Sequence, residues 1–159
     1  MATTDELIAQ GRLLKLDDVL DPGELEERLM YIHPRVATWI DANLETLEND
    51  GFYDNVPSPQ QQADDLFYEF ISGADIISNW PPHAMTPSDT GVWELRTADL
   101  RFFGWFWRKG VFLLTAVDTK DRCKTYSLYG GYRDQCVRDR DEFDLEPPAF
   151  CTGELNNVL

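Results

Sequence analysis

The sequence predicts an α+β domain, with helices in its first half, then an antiparallel β-meander and a final short helix. Three observations carry this. From about residue 3 to 72, apolar residues recur every three or four positions behind helix-cap signals. From Val92 to Val117 the pattern turns to alternation and to aromatic-rich apolar runs parted by short turns. Helical runs followed by strand runs, without regular alternation between them, are the α+β pattern. A chain of 159 residues suits one domain. Its parts are an acidic helical part (1–90), a sheet with a C-terminal helix (91–143) and a tail (144–159).

Residues 3–15 predict a short helix, with Thr3 or Thr4 as N-cap and acids in its first turn. Asp21-Pro22-Gly23-Glu24 reads as the start of another, because Asp caps and Pro fits the first helical position. Leu25, Leu29 and Ile32 follow at helical spacing, and Pro34 interrupts. Val36, Ile40, Leu44 and Leu47 line one face of the next run, which Asn49-Asp50-Gly51 ends. Ser58 caps a helix that begins at Pro59 and buries Ala63, Leu66, Phe67, Phe70 and Ile71. Residues 78–90 hold three prolines and read as a loop pinned by Trp80 and Met85. Val92–Arg96 alternates, and Phe102–Trp107 is aromatic on both faces except at Gly104, the mark of a bulge or a close approach. Arg108-Lys109-Gly110 is a hairpin turn, and Val111–Val117 is a central strand. Gly130-Gly131 breaks the chain before a charged surface helix over 132–143.

Charge is unevenly spread. The net charge is −15, made of −14 over residues 1–90, +4 over 91–140 and −5 over 141–159. No apolar run approaches the roughly eighteen residues of a membrane span. The N-terminus lacks the basic and apolar regions of a secretory signal. Three cysteines without CxxC spacing (Cys123, Cys136, Cys151) fit a reduced, cytoplasmic setting. Neither they nor His33 and His83 match a metal-ligand spacing, so no metal and no cofactor is expected.

Within the basic segment stand Val92-Trp93-Glu94-Leu95-Arg96 and Leu100-Arg101-Phe102-Phe103, followed by Val111–Val117, the connection Thr119–Lys124 and the charged run Arg138–Phe143. Over about residues 91–143 this order resembles the RelE/HigB toxin superfamily, in particular its phage-derived HigB-like branch. The resemblance implies a RelE-like fold and a ribosome-dependent, metal-independent mRNA endoribonuclease, with mRNA, the ribosome and an antitoxin as partners. Such cleavage uses the RNA's own 2′-OH, with cations stabilising the phosphorane and an acid protonating the leaving oxygen. Arginine suits phosphate because its fork is bidentate and always charged. The resemblance implies Arg101, Lys120, Lys124 and Tyr126 as catalytic residues, and Arg96, Arg122, Tyr132 and Arg133 as RNA-binding. Tyr126 or Tyr132 would orient the 2′-OH or stack a base.

The acidic run Asp17-Asp18, Asp21, Glu24, Glu26-Glu27 supports a different reading. Carboxylates spaced on a rigid scaffold imitate nucleic-acid phosphates and occupy a basic groove on a partner. The chain would then be a non-enzymatic acidic interaction protein, such as a phage-encoded inhibitor of a host defence nucleoprotein. The two readings predict opposite surfaces. A toxin brings Arg101 and the cations of 120–124 onto one open sheet face. A mimic ties them up internally and displays its carboxylates.

Overall fold

A computed structural model describes all 159 residues. Six strands form one sheet: β1 (Leu14–Lys15), β2 (Leu29–Ile32), β3 (His83–Ala84), β4 (Trp93–Arg96), β5 (Leu100–Arg108) and β6 (Val111–Thr119). Six helices surround it: α1 (Thr4–Ala9), α2 (Pro34–Asn43), α3 (Pro59–Ser72), α4 (Lys120–Thr125), α5 (Tyr129–Phe143) and α6 (Leu155–Val158). The strand order is β1-β2-β6-β5-β4-β3. The meander β4-β5-β6 is the expected antiparallel one, turning through Lys109-Gly110 with Gly110 at φ 72°.

Two features depart from the expected architecture. The sheet is mixed, because β2 pairs in parallel with β6. Helices also cover both of its faces rather than one. On β5, Leu100, Phe102 and Phe106 pack with α2 and α3, while Phe103 and Trp105 pack against Cys136 and Phe143 of α5. The two layers divide 32 buried apolar residues into clusters of 19 and 13, so the strands are apolar on both sides. This explains why the aromatic run showed no polar face.

The segment 21–32 is not a helix. Asp21–Glu24 is a turn in which the Glu24 amide donates to the Asp21 carbonyl, with Gly23 at φ 89°. Leu25 is exposed, and Leu29–Ile32 pairs residue for residue with Val111–Leu114. Pro34 starts α2 rather than interrupting one, since His33 Nδ1 accepts from the Arg35 amide (3.1 Å) and caps it. α2 ends at Asn43 and passes into a single 3-10 turn, Leu44–Thr46. Gly130-Gly131 lies inside α5, whose packing on the sheet through Cys136 and Phe143 outweighs the weak helical preference of glycine. The α3 expectation holds closely: Ser58 Oγ accepts from the Gln61 amide, Pro59 opens the helix and Gly73 closes it at φ 81°.

Gly104 is the point where β5 shifts register against β6. A Cβ there would run into the Leu113 carbonyl, so the close strand approach requires glycine. No helix is long and apolar enough to cross a membrane.

Candidate functional site

The cations of the basic segment do not share one open face: Arg101 and Lys120 are buried, whereas Arg122 and Lys124 of α4 are exposed. Arg101 stands between Arg96 of β4 and Asp118 of β6. It is only 6% exposed, and its Nη1 donates to the Thr97 and Leu100 carbonyls at 2.7 and 2.8 Å. Asp118 is buried and accepts from Arg122 Nε (3.1 Å), the Tyr132 hydroxyl (2.5 Å) and the Thr119 amide (2.8 Å). Burial, then Asp118, pushes the Tyr132 phenol up, so it holds its proton at neutral pH. Cys123 beside them is pushed up to about 12, chiefly by burial, and is no thiolate nucleophile.

Lys120 is held at the start of α4. Its ammonium lies 2.9 Å from Asp50 and under the rings of Phe52 (4.4 Å) and Tyr53 (5.1 Å). A network based on Asp99 fixes the Asp50 loop. The Asp99 carboxylate accepts from Asn49 Nδ2 (2.8 Å), the Asp50 amide (2.9 Å) and Gln62 Nε2 (2.6 Å), and Gln62 Oε1 accepts from Thr97 and the Asp99 amide. Burial pushes the Asp50 carboxyl up, but Lys120 and the Phe52 amide together hold it below its ordinary range.

The other predicted residues divide. Arg96 donates to the Pro81 carbonyl and lies 3.7 Å from Glu94. Arg133 donates to the Thr86 carbonyl and pairs with Asp134. Lys124 and Tyr126 are exposed, with Lys124 5.8 Å from the Phe52 ring and Arg122 5.5 Å from the Tyr126 ring. The eight residues thus do not converge. Arg101, Lys120 and Arg122 hold the fold's own carbonyls and carboxylates, whereas Lys124 and Tyr126 face solvent.

Acids dominate the surface. Every Asp and Glu is exposed except Glu94, Asp99, Asp118 and Asp139. On the α2–α3 side of the sheet the acids rim an apolar groove of about 440 Å³. Leu16 and Val19 form one wall, Ala37 and Ile40 of α2 another, with Ile32 and Phe67 also lining it. Asp18, Asp41 and Asp64 stand around them. A smaller hollow of about 170 Å³ shares Leu16, Asp18 and Val19, and adds Asp17, Asp21, Glu24 and Glu26. Its acids are partly organised: Glu24 accepts from the Tyr68 hydroxyl (2.5 Å) and the Asp21 amide (2.8 Å), and Glu26 pairs with Lys15. The Tyr68 bond and then the Asp21 amide hold the Glu24 carboxyl below its ordinary range. The acidic run of 17–27 was visible in the sequence, but its apolar neighbours, scattered over 16–67, were not.

A further hollow, about 470 Å³, opens at the β4 end of the sheet. Tyr53 and Trp80 meet edge to face across it at 5.5 Å, and Arg96, Asp65, Glu69 and Asp75 line it. Burial and then Asp65 push the Glu69 carboxyl up. Comparison with family models, with curated proteins and with solved structures finds no match to this chain.

Proposed function

We propose that this chain is a non-enzymatic acidic interaction protein that engages a basic, nucleic-acid-binding partner, as a phage-encoded inhibitor of a host defence nucleoprotein would. One observation carries the reading: Arg101, the residue an RNA-cleaving face most needs, is buried beneath α5 and spends its guanidinium on two carbonyls of its own chain. Lys120 and Arg122 are likewise spent on Asp50 and Asp118. The carboxylates, by contrast, are nearly all displayed. At −15, their summed field attracts a basic partner over roughly a Debye length, about 8–10 Å at physiological salt. The test is affinity capture from bacterial lysate with the folded chain. A basic nucleic-acid-binding protein, released by moderate salt, is expected; capture of nothing, or only of acidic proteins, overturns the reading.

The RelE/HigB-like endoribonuclease remains the second reading. What supports it is that Lys124, Tyr126 and Phe52 are exposed, with the Lys124 ammonium 5.8 Å from the Phe52 ring. Expression of the wild-type chain in bacteria decides it. Growth arrest with mRNA cleavage, lost in Lys124→Ala/Tyr126→Ala, supports it, and normal growth with well-folded protein removes it.

A further inference from the structure

The reading of an acidic binder leaves open where on so acidic a surface a partner sits. Exposed carboxylates are spread over the whole surface, and a carboxylate alone attracts cations without selecting among them. The groove between α2 and α3 differs in two ways. Its walls are apolar and half-exposed at Val19, Ala37 and Ile40, and no segment of this chain covers them. Its rim carboxylates Asp18, Asp41 and Asp64 form no ion pair within the chain, although Lys15 stands nearby in sequence and is already paired with Glu26.

We infer that this groove docks a basic amphipathic peptide segment of the partner, seating one or two apolar side chains against Val19, Ala37 and Ile40 while flanking Lys or Arg residues meet Asp18, Asp41 and Asp64. The inference rests on the acidic-binder reading and deepens it. A volume of about 440 Å³ falls within the size range of sites that enclose several side-chain groups. Apolar anchors placed in a pocket supply most of the binding energy of an interface. The surrounding charges then set orientation and association rate. Acidic groups around an apolar floor select against acidic and against purely polar segments, since either leaves one half of the site unmatched. A nucleic acid is excluded by charge. The site is therefore more than a row of phosphate-like charges, because it needs an anchor as well as cations.

The probe is a synthetic helical peptide with Leu along one face and Lys along the other, titrated against the full chain. Amide NMR shifts and binding affinity are read together. Shifts centred on Val19, Ala37 and Ile40 are expected. Ala37→Arg, which lays a cation across the half-exposed groove, and Asp41→Lys/Asp64→Lys should each weaken binding by about ten-fold or more. The matched reversal Asp141→Lys/Glu142→Lys, on the α5 side, changes net charge equally and should leave binding within about two-fold. A peptide with the same lysines but Ser in place of Leu should lose most of its affinity. Equal weakening by the two reversals, or equal binding of the Ser peptide, overturns the groove while leaving the acidic-binder reading standing. Failure of the Leu peptide to bind overturns the groove too. Lysate capture then shows whether the broader reading falls with it. Circular dichroism on each variant separates lost binding from lost folding.

Discussion

Arg101 and Lys124 carry the same charge and belong to one basic segment, yet the fold uses them in opposite ways. Arg101 is a donor to two carbonyls within the protein, whereas Lys124 has no carboxylate or carbonyl partner. Replacing Arg101 by Met takes the guanidinium from the Thr97 carbonyl, leaves the Leu100 carbonyl only the Thr97 amide, and removes the cation set across from buried Asp118. Urea denaturation should show a loss of about 3 kcal/mol, because buried polar groups left without partners keep their full desolvation cost. Lys124→Ala should stay within about 0.5 kcal/mol of wild type. Equal effects of the two substitutions would contradict the placement of Arg101. Asp50 gives a second test through pH. Its folded carboxyl titrates below the ordinary value of 3.8, so the pair with Lys120 adds stability above that value. That contribution is lost as pH falls through the lower, folded-state value. The stability gap between wild type and Lys120→Met should therefore narrow in acid below 3.8. A constant gap would mean the ammonium contributes by packing against Phe52 and Tyr53 alone. Little of this was legible beforehand. A sequence shows that an arginine lies in a strand, but not that a helix thirty residues on will cover it.

Elements whose pattern depends on their own residues were readable. Those that depend on a distant partner were not. α3 follows from Ser58, Pro59 and Gly73, and the β5–β6 hairpin from its apolar run and Lys109-Gly110. β2 failed this reading because Leu25, Leu29 and Ile32 satisfy helical spacing, while the strand owes its conformation to parallel pairing with β6, about eighty residues later. α5 failed in the other direction, as tertiary packing carried a helix through two glycines. Gly104, the one residue without a side chain in an aromatic run, is legible as a close approach and supports a direct expectation. Gly104→Ala drives a methyl into the Leu113 carbonyl at the register shift between the two longest strands. Backbone cannot yield as a side-chain tip does, so the cost should be about 3 kcal/mol or more, read as a lowered melting temperature or as insoluble protein. A melting temperature equal to wild type would show that β5 is not held this close to β6.

The whole molecule sets two electrostatic effects against each other. Its cations are few, and three of them pair with carboxylates that the fold holds in place: buried Lys120 with Asp50, and the exposed Arg122 and Arg35 with the buried Asp118 and Asp139. Contact pairs with a buried member are screened less by salt than repulsion among exposed carboxylates, which weakens strongly once the Debye length falls from about 30 Å at 0.01 M to about 3 Å at 1 M. Added salt should therefore raise the melting temperature at neutral pH, since it relieves the self-repulsion of a chain at −15 without breaking its internal pairs. The same salt should weaken capture of a basic partner, because that attraction acts between exposed charges. The two slopes must have opposite sign if the unpaired acids serve binding and the paired cations serve the fold. Thermal melts and partner release, run over one salt series, measure both. A melting temperature that falls with salt would mean that the ion pairs outweigh the self-repulsion of the exposed carboxylates. Partner release insensitive to salt would leave apolar contact in the α2–α3 groove as the main attraction, with the acidic field secondary.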